Sequence, residues 1–163
     1  MGAVLSGLSI IQVAVVVTDL EACVARQNAM LGNGPWRVYE LGSDNIQHYE
    51  MRGAPASGST LLALNDTRPQ IEILQPLGGS TPHQEWLDEH GEGLHHVGYV
   101  VDSVPEGIAA FAEEGVAVIA SGHGFGPDAG GSFAYLDTLA TLGMIVELIE
   151  PPTSLGEPVR SLA

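Results

Sequence analysis

Blocks of apolar and polar residues recur along the chain in the same order, which predicts two similar halves. Residues 12–17 (QVAVVV) and 96–101 (HVGYVV) stand 84 positions apart and are short, valine-rich segments of the kind that form strands. Each is followed by a helix-start pattern of the capping-box form, TDLE at 18–21 and SVPE at 103–106. The order strand, then helix, therefore occurs twice, and an internal repeat of this kind determines the architecture.

The two halves also end alike. Residues 70–76 (QIEILQP) and 145–151 (IVELIEP) stand 75 positions apart, and each segment is an apolar strand that holds one carboxylate, Glu72 or Glu147, before a proline. The last strands of the two halves are 75 positions apart and the first strands are 84 positions apart. The first half therefore has a longer section between its first and last strands than the second half has. Further strands are predicted at 36–41, 46–52, 60–65, 117–120 and 132–137.

Both halves thus share the order βαβββ, with one further strand candidate in the longer middle section of the first half, and the predicted fold is α+β with two tandem modules. The first module spans residues 8–77 and the second spans 93–151. A connector with a short helix covers 78–92, where Thr81-Pro82 is a helix-start signal. Residues 152–163, rich in proline and serine, are predicted to form a loose tail.

The repeat singles out four polar positions. Gln12 is equivalent to His96, and Glu72 is equivalent to Glu147, so two modules packed side by side would bring all four side chains to one concave surface. Neighbouring side chains on a strand point to opposite faces, so His95 and His96 are not expected to share one site. The equivalence with Gln12 favours His96 as the functional residue and a structural role for His95.

One imidazole, two carboxylates and one amide oxygen form a coherent site for a divalent cation without sulfur ligands. Such donors suit Zn²⁺, Co²⁺, Ni²⁺, Mn²⁺ or Fe²⁺ and leave coordination positions for water or substrate. Amides bind metals weakly, so a site of His96, Glu72 and Glu147 with water in the fourth position is the alternative. His48 or Glu50 could add a further base, and the side chains expected to line the cavity are Ala14, Val16, Leu74, Val100 and Ile149.

Charge limits the range of partners. The chain has 20 acidic residues against five arginines and no lysine, with a formal net charge of −15, so nucleic acid and anionic membrane surfaces find no basic stripe. A polyanionic substrate such as a coenzyme A thioester would depend on a few arginines, whereas a neutral or apolar ligand would not. A single cysteine, Cys23, and the lack of a membrane span or signal-peptide pattern lead us to expect a cytoplasmic protein.

From about residue 10 to 151 the sequence resembles the vicinal oxygen chelate superfamily, in which paired βαβββ modules form a curved, mostly antiparallel sheet around a metal cleft. The segments GEGLHHVGYVVDSV (91–104), QIEILQPL (70–77) and IVELIEP are most similar to methylmalonyl-CoA epimerases. The set Gln12, Glu72, His96 and Glu147 is similar to the ligand pattern of animal glyoxalase I, whose last glutamate also acts as a base. Two positions depart from the epimerases, which have histidine in place of Gln12 and a catalytic glutamate on the strand that here reads TLLAL (60–64).

The resemblance implies a metal-dependent isomerase or lyase that moves a proton next to a carbonyl of a small, partly apolar substrate. Glu147 would be the base, assisted by Glu72. The main alternative is a protein of the resistance type that sequesters a hydrophobic small molecule without chemistry. A non-haem iron dioxygenase is a third interpretation, against which Gln12 argues because those relatives use two histidines and one glutamate. The scaffold is compatible with a homodimer, although the sequence shows no interface.

Overall fold

Two βαβββ modules lie side by side in one curved sheet in the computed structural model, which describes residues 5–163. The strands in this range are β1 (Gln12–Val16), β2 (Trp36–Gly42), β3 (His48–Met51), β4 (Ala54–Pro55), β5 (Gly58–Leu64), β6 (Gln70–Gly79), β7 (Gly93–Val100), β8 (Val118–Phe125), β9 (Gly131–Leu136), β10 (Ile145–Glu150) and β11 (Arg160–Leu162). The helices are α1 (Leu20–Leu31), α2 (Pro82–His90), α3 (Val104–Glu113) and α4 (Leu139–Leu142). The predicted α+β fold with two modules is confirmed.

The strand order β11-β2-β5-β6-β1-β7-β10-β9-β8-β3-β4 shows how the repeat is built into the sheet. In each module the first strand pairs in parallel with the last, β1 with β6 and β7 with β10. The modules meet where β1 and β7 pair antiparallel, with Gln12 opposite Gly98 and Ala14 opposite His96. These two pairs exchange under the repeat, so the modules are related by an approximate two-fold axis between β1 and β7.

Helices α1 and α3 begin where the sequence predicts, because each has a side-chain cap. Ser103 accepts a hydrogen bond from the Glu106 backbone N–H at 3.2 Å, and Asp19, rather than the preceding Thr18, caps α1 by accepting from Ala22 at 2.9 Å. Gly32 ends α1 in the left-handed conformation, with φ of 66°. The helices cover the outer face of the sheet, and Trp36 is fully buried there against α1.

Two segments differ from the prediction. The β3–β4 hairpin, from the long middle section of the first half, pairs with β8 of the second module instead of with its own. The end of the chain is not a loose tail, because β11 pairs antiparallel with β2 at the edge of the first module. An edge strand offers unpaired backbone groups, and pairing satisfies them whatever the composition of the added segment. No helix in residues 5–163 has the length and apolar character that crossing a membrane requires.

Candidate metal centre and cavity

The register of the four central strands places the candidate ligands in two adjacent rows. Ala14 lies between Glu72 on β6 and His96 on β7 in one row. Gly98 lies between Gln12 on β1 and Glu147 on β10 in the next row. Side chains with the same parity on paired strands share a face. The small residues Ala14 and Gly98 leave room between the longer ones, so that these side chains can converge.

Three of the four side chains meet at their polar ends. The His96 Nε2 atom lies 3.0 Å from Glu147 Oε2 and 3.3 Å from Glu72 Oε2, and one ligand atom from each residue lies within 4.8 Å of the others. All three residues are buried, with His96 fully so. Despite their closeness, none of these three atoms makes a hydrogen bond with another group in the described residues. The three facing atoms therefore have only the ion-pair contacts among themselves and no hydrogen-bond partner in the described residues.

Burial and mutual charge act in opposite directions within this cluster. Burial raises the pKa of Glu72, while the neighbouring His96 opposes the rise. Burial alone would lower the pKa of His96, but the charges of Glu147 and Glu72 outweigh burial and raise it to about 9. Two carboxylates around one imidazole thus create a strong local demand for positive charge.

A divalent cation fits this demand. Ligand atoms held about 2.0–2.2 Å from one cation must lie about 3–3.5 Å from each other, and the two measured separations of 3.0 and 3.3 Å agree with that geometry. The donors are one nitrogen and two carboxylate oxygens, which suit the transition metals named above. A cation would also bind the three atoms that make no hydrogen bond in the described residues, and buried polar atoms without such a partner are costly.

Gln12, the fourth predicted ligand, lies beside this cluster on the same cavity wall as Glu72 and Glu147. Its Nε2 donates a hydrogen bond to Gln70 Oε1 at 3.0 Å, and Gln70 in turn donates to the Asn65 carbonyl at 2.9 Å. These two hydrogen bonds hold the Gln12 amide nitrogen in place and leave its carbonyl oxygen free to bind a cation. A role for Gln12 as a ligand stays a prediction.

His95 is oriented differently from the prediction. The β1–β7 register shifts between Ala14, opposite His96, and Val15, opposite Leu94, so His95 is the extra residue of a β-bulge. The bulge breaks the alternation of faces, and the His95 and His96 rings lie on the same side with their Nδ1 atoms 2.9 Å apart. Burial, followed by His83 and His96, lowers the pKa of His95 well below its usual value, so this ring stays neutral.

A cavity of about 240 Å³ opens next to the cluster. Apart from Glu72 and Glu147, its walls are uncharged and largely apolar. The lining side chains include Leu41, Ile46, Tyr49, Thr60, Leu62, Leu64, Pro82, Val100, Phe125, Phe133, Tyr135, Ile149, Pro151, Pro152 and Leu155. Such walls exclude water and favour a partly apolar ligand.

Part of the predicted lining is wrong. Val100 and Ile149 line the cavity, but Ala14, Val16 and Leu74 are fully buried, because Trp86 and Leu87 of α2 pack over them. The proposed extra bases do not reach the cavity either. His48 and Glu50 are exposed, and the His48 ring stacks on His123 at 4.2 Å.

Two polar residues of the cavity were not predicted from the sequence. His83 on α2 is buried, its Nδ1 lies 3.0 Å from Thr60 Oγ1, and burial lowers its pKa to about 3. Tyr135 lies directly opposite Glu147 on β9, and burial, then the charges of Glu147 and Glu72, raise its pKa well above the usual value. Both groups therefore stay neutral and can exchange hydrogen bonds with a ligand.

Comparison with known proteins identifies the scaffold. Residues 11–135 match the model of the glyoxalase/bleomycin resistance protein/dioxygenase superfamily, and the chain belongs to this family of vicinal oxygen chelate proteins. The ethylmalonyl-CoA/methylmalonyl-CoA epimerase of Cereibacter sphaeroides is 30% identical over 112 residues, which cover 68% of this chain and 74% of the epimerase.

Two further likenesses are more limited. The uncharacterized protein YqjC of Bacillus subtilis is 29% identical over 82 residues, and the matched part spans half of this chain and 58% of YqjC. A solved methylmalonyl-CoA epimerase in complex with methylmalonyl-CoA and NH4+ superposes with a TM-score of 0.57 over 93% of this chain and 99% of the epimerase. At 22% identity this likeness shows the fold.

Proposed function

We propose that this protein is a divalent-metal-dependent isomerase or lyase that moves a proton next to a carbonyl group of a small, partly apolar substrate. The observation that carries the proposal is the buried cluster of Glu72, His96 and Glu147, whose three facing atoms have no hydrogen-bond partner in the described residues. Family membership and the epimerase relative support the same class of chemistry.

Glu72, His96 and Glu147 would hold the cation, with the Gln12 carbonyl oxygen as a fourth donor. When bound, a divalent cation supplies Lewis acidity to a substrate carbonyl oxygen and so favours loss of a proton from the adjacent carbon. The His96 ring is steadied through its Nδ1 by neutral His95, an arrangement that fixes the ring of a metal-binding histidine.

Glu147 is the residue we assign to proton transfer. Its carboxylate lines the cavity beside the Tyr135 phenol, so it can reach a substrate that enters along the apolar walls. It would accept the proton from the carbon next to the carbonyl and return it, with Glu72 assisting. A positioned base of this kind contributes about 10²–10⁴-fold to the rate.

One observation favours a second candidate, a binding protein that sequesters a hydrophobic compound. Strand β5 faces the cavity with Thr60, Leu62 and Leu64 and carries no carboxylate, so a second base on this wall is lacking among its residues. The two candidates differ in whether the cluster holds a metal.

Elemental analysis of untagged protein purified without chelator distinguishes the metal-dependent enzyme from the binding protein. We expect about one equivalent of a divalent transition metal in the parent protein and in Glu89→Ala, which removes an exposed carboxylate, and loss of that metal in His96→Ala and Glu147→Ala. A parent that is metal-free and fails to take up Zn²⁺, Ni²⁺, Mn²⁺ or Fe²⁺ would refute the isomerase or lyase and leave the binding protein.

A further inference from the structure

We propose that the cavity selects a compact substrate without phosphate groups, and that the segment 151–159, here called the strap, sets its size limit. This inference rests on the proposed function and narrows its substrate class. It also separates this chain from relatives that act on coenzyme A thioesters.

The strap begins directly after β10 and forms part of the cavity wall. Pro151, Pro152 and Leu155 line the cavity. The Thr153 backbone N–H donates to Asp128 Oδ2 at 3.1 Å. Gly126 packs so closely against the strap that a Cβ there would lie 2.5 Å from Pro152 Cβ. This end of the strap is therefore held against the second module.

The other end of the strap is fixed to the first module. The Val159 backbone N–H donates to the Val38 carbonyl at 2.8 Å, and β11 then continues as a strand paired with β2. In the sheet order, β5, β6, β1 and β7 lie between β2 and β10. Because the strap is anchored on both sides of these central strands, it limits access to the cavity that they line.

The size of the cavity agrees with a small occupant. Its volume of about 240 Å³ lies below the range of about 300–1,000 Å³ that is common for drug-sized ligands. A compact acyl group fits such a volume, whereas the nucleotide of a coenzyme A thioester would have to lie outside it.

Charge argues in the same direction. None of the arginines in the described residues lines the cavity, and three of them are paired elsewhere, Arg37 with Asp66, Arg52 with Glu85 and Arg160 with Glu21. With a net charge of −15 and no lysine in the chain, the phosphates of coenzyme A meet repulsion.

A matched pair of ligands tests the inference. The zinc-loaded protein is titrated with methylmalonyl-N-acetylcysteamine and with methylmalonyl-CoA, which present the same acyl thioester without and with the phosphates. We expect the short thioester to bind at least about 10-fold more tightly, and the gap to narrow when salt rises from about 20 mM to about 0.5 M, because salt screens the repulsion. Equal or tighter binding of the coenzyme A thioester, or binding of neither ligand, overturns the inference.

Variants of the strap test the size limit separately. Leu155→Trp should weaken binding of the short thioester at least about 10-fold without loss of metal, while Leu142→Trp, a change at an exposed leucine of α4, should leave it unchanged. If Leu155→Trp binds the short thioester as tightly as the parent protein does, the strap does not set the size limit. Deuterium exchange at the carbon between the two carbonyls reports on the proposed function by itself. Tight binding of the short thioester without exchange would refute the chemistry and keep the ligand class.

Discussion

Two apolar positions on the first and last strands are covered in the first module, whereas their equivalents in the second module border the cavity. Val16 and Val100 occupy equivalent positions, yet Val16 is fully buried and Val100 is 40% exposed. Leu74 and Ile149 are likewise equivalent, and Leu74 is fully buried while Ile149 lines the cavity. The difference arises from the segment that succeeds the last strand of each module.

After β6, which continues past Pro76 to Gly79, the chain forms α2, which packs Trp86 and Leu87 onto Ala14, Val16 and Leu74 of the first module. After Pro151, at the position equivalent to Pro76, the chain forms the extended strap, which borders a cavity lined by residues of both modules. The approximate two-fold axis thus supplies paired positions for ligands, and the unequal segments that follow the modules make Val16 and Leu74 part of the core and leave Val100 and Ile149 beside the cavity.

The largest expected effect is a difference in stability between substitutions at the equivalent positions Leu74 and Ile149. Leu74→Ala should lower the free energy of unfolding by about 2–5 kcal/mol, because it opens a cavity under α2 that the surroundings cannot fill. Ile149→Ala borders space that already exists and should cost less than about 1.5 kcal/mol. Urea denaturation midpoints of the two variants measure this directly. Equal losses would mean that the cavity is closed in solution.

The next largest effect is a difference in zinc affinity between substitutions at the equivalent positions His96 and Gln12. His96→Gln gives both modules the same residue and removes the only nitrogen donor of the cluster, so zinc affinity should fall by more than about 100-fold, beyond the 10–100-fold typical of outer-shell changes. Gln12→Ala removes a weak amide donor and should cost less than about 10-fold. Competition with a chromogenic chelator gives both values. Similar losses would show that the site is symmetric and that Gln12 is a full ligand.

Acid should lower the free energy of unfolding, because His83 of α2 is buried in its neutral form. The pKa of buried His83 is lowered to about 3 from an unfolded value near 6.5, so its contribution to stability is complete above pH 6.5 and is lost as pH falls towards 3. Between pH 7 and pH 5 this one group lowers the free energy of unfolding by up to about 2 kcal/mol. His83→Gln should reduce this pH-dependent loss of unfolding free energy by up to about 2 kcal/mol. Urea titrations at pH 7 and pH 5 measure the loss in both proteins. An unchanged difference between the two pH values in His83→Gln would show that His83 is protonated or exposed.

The sequence was sufficient for the features that depend on periodicity. Equivalent strands in a repeat have equivalent registers, and this is why Glu72, His96 and Glu147 could be placed together from the pattern alone. His83 was missed although a signal exists, because residues 83, 86, 87 and 90 share one face of α2 and include Trp86 and Leu87. That spacing predicts a buried histidine.

Other features left no trace in the pattern. The bulge at His95 adds one residue to β7 without changing its composition, so the rule of alternating faces gave the wrong orientation. The pairing of β11 depends on the free edge of β2, far away in the sequence, and the proline- and serine-rich composition of residues 152–163 gave no indication of it.

The smallest expected effect concerns the small residues between the ligands. Gly98 lies between Gln12 and Glu147, and a Cβ there would come within 3.2 Å of Gln12 Oε1 and 2.9 Å of Ile149 Cδ1. Gly98→Ala should therefore displace the Gln12 amide and lower zinc affinity about 3-fold, less than removal of the amide itself. In a Gln12→Ala background the same change should have no further effect on affinity, since the two substitutions act through one contact. Ala14→Gly, at the equivalent position of the first module, is the matched control and should leave affinity unchanged. If Gly98→Ala lowers affinity equally in both backgrounds, it acts through a contact other than the Gln12 amide, such as Ile149.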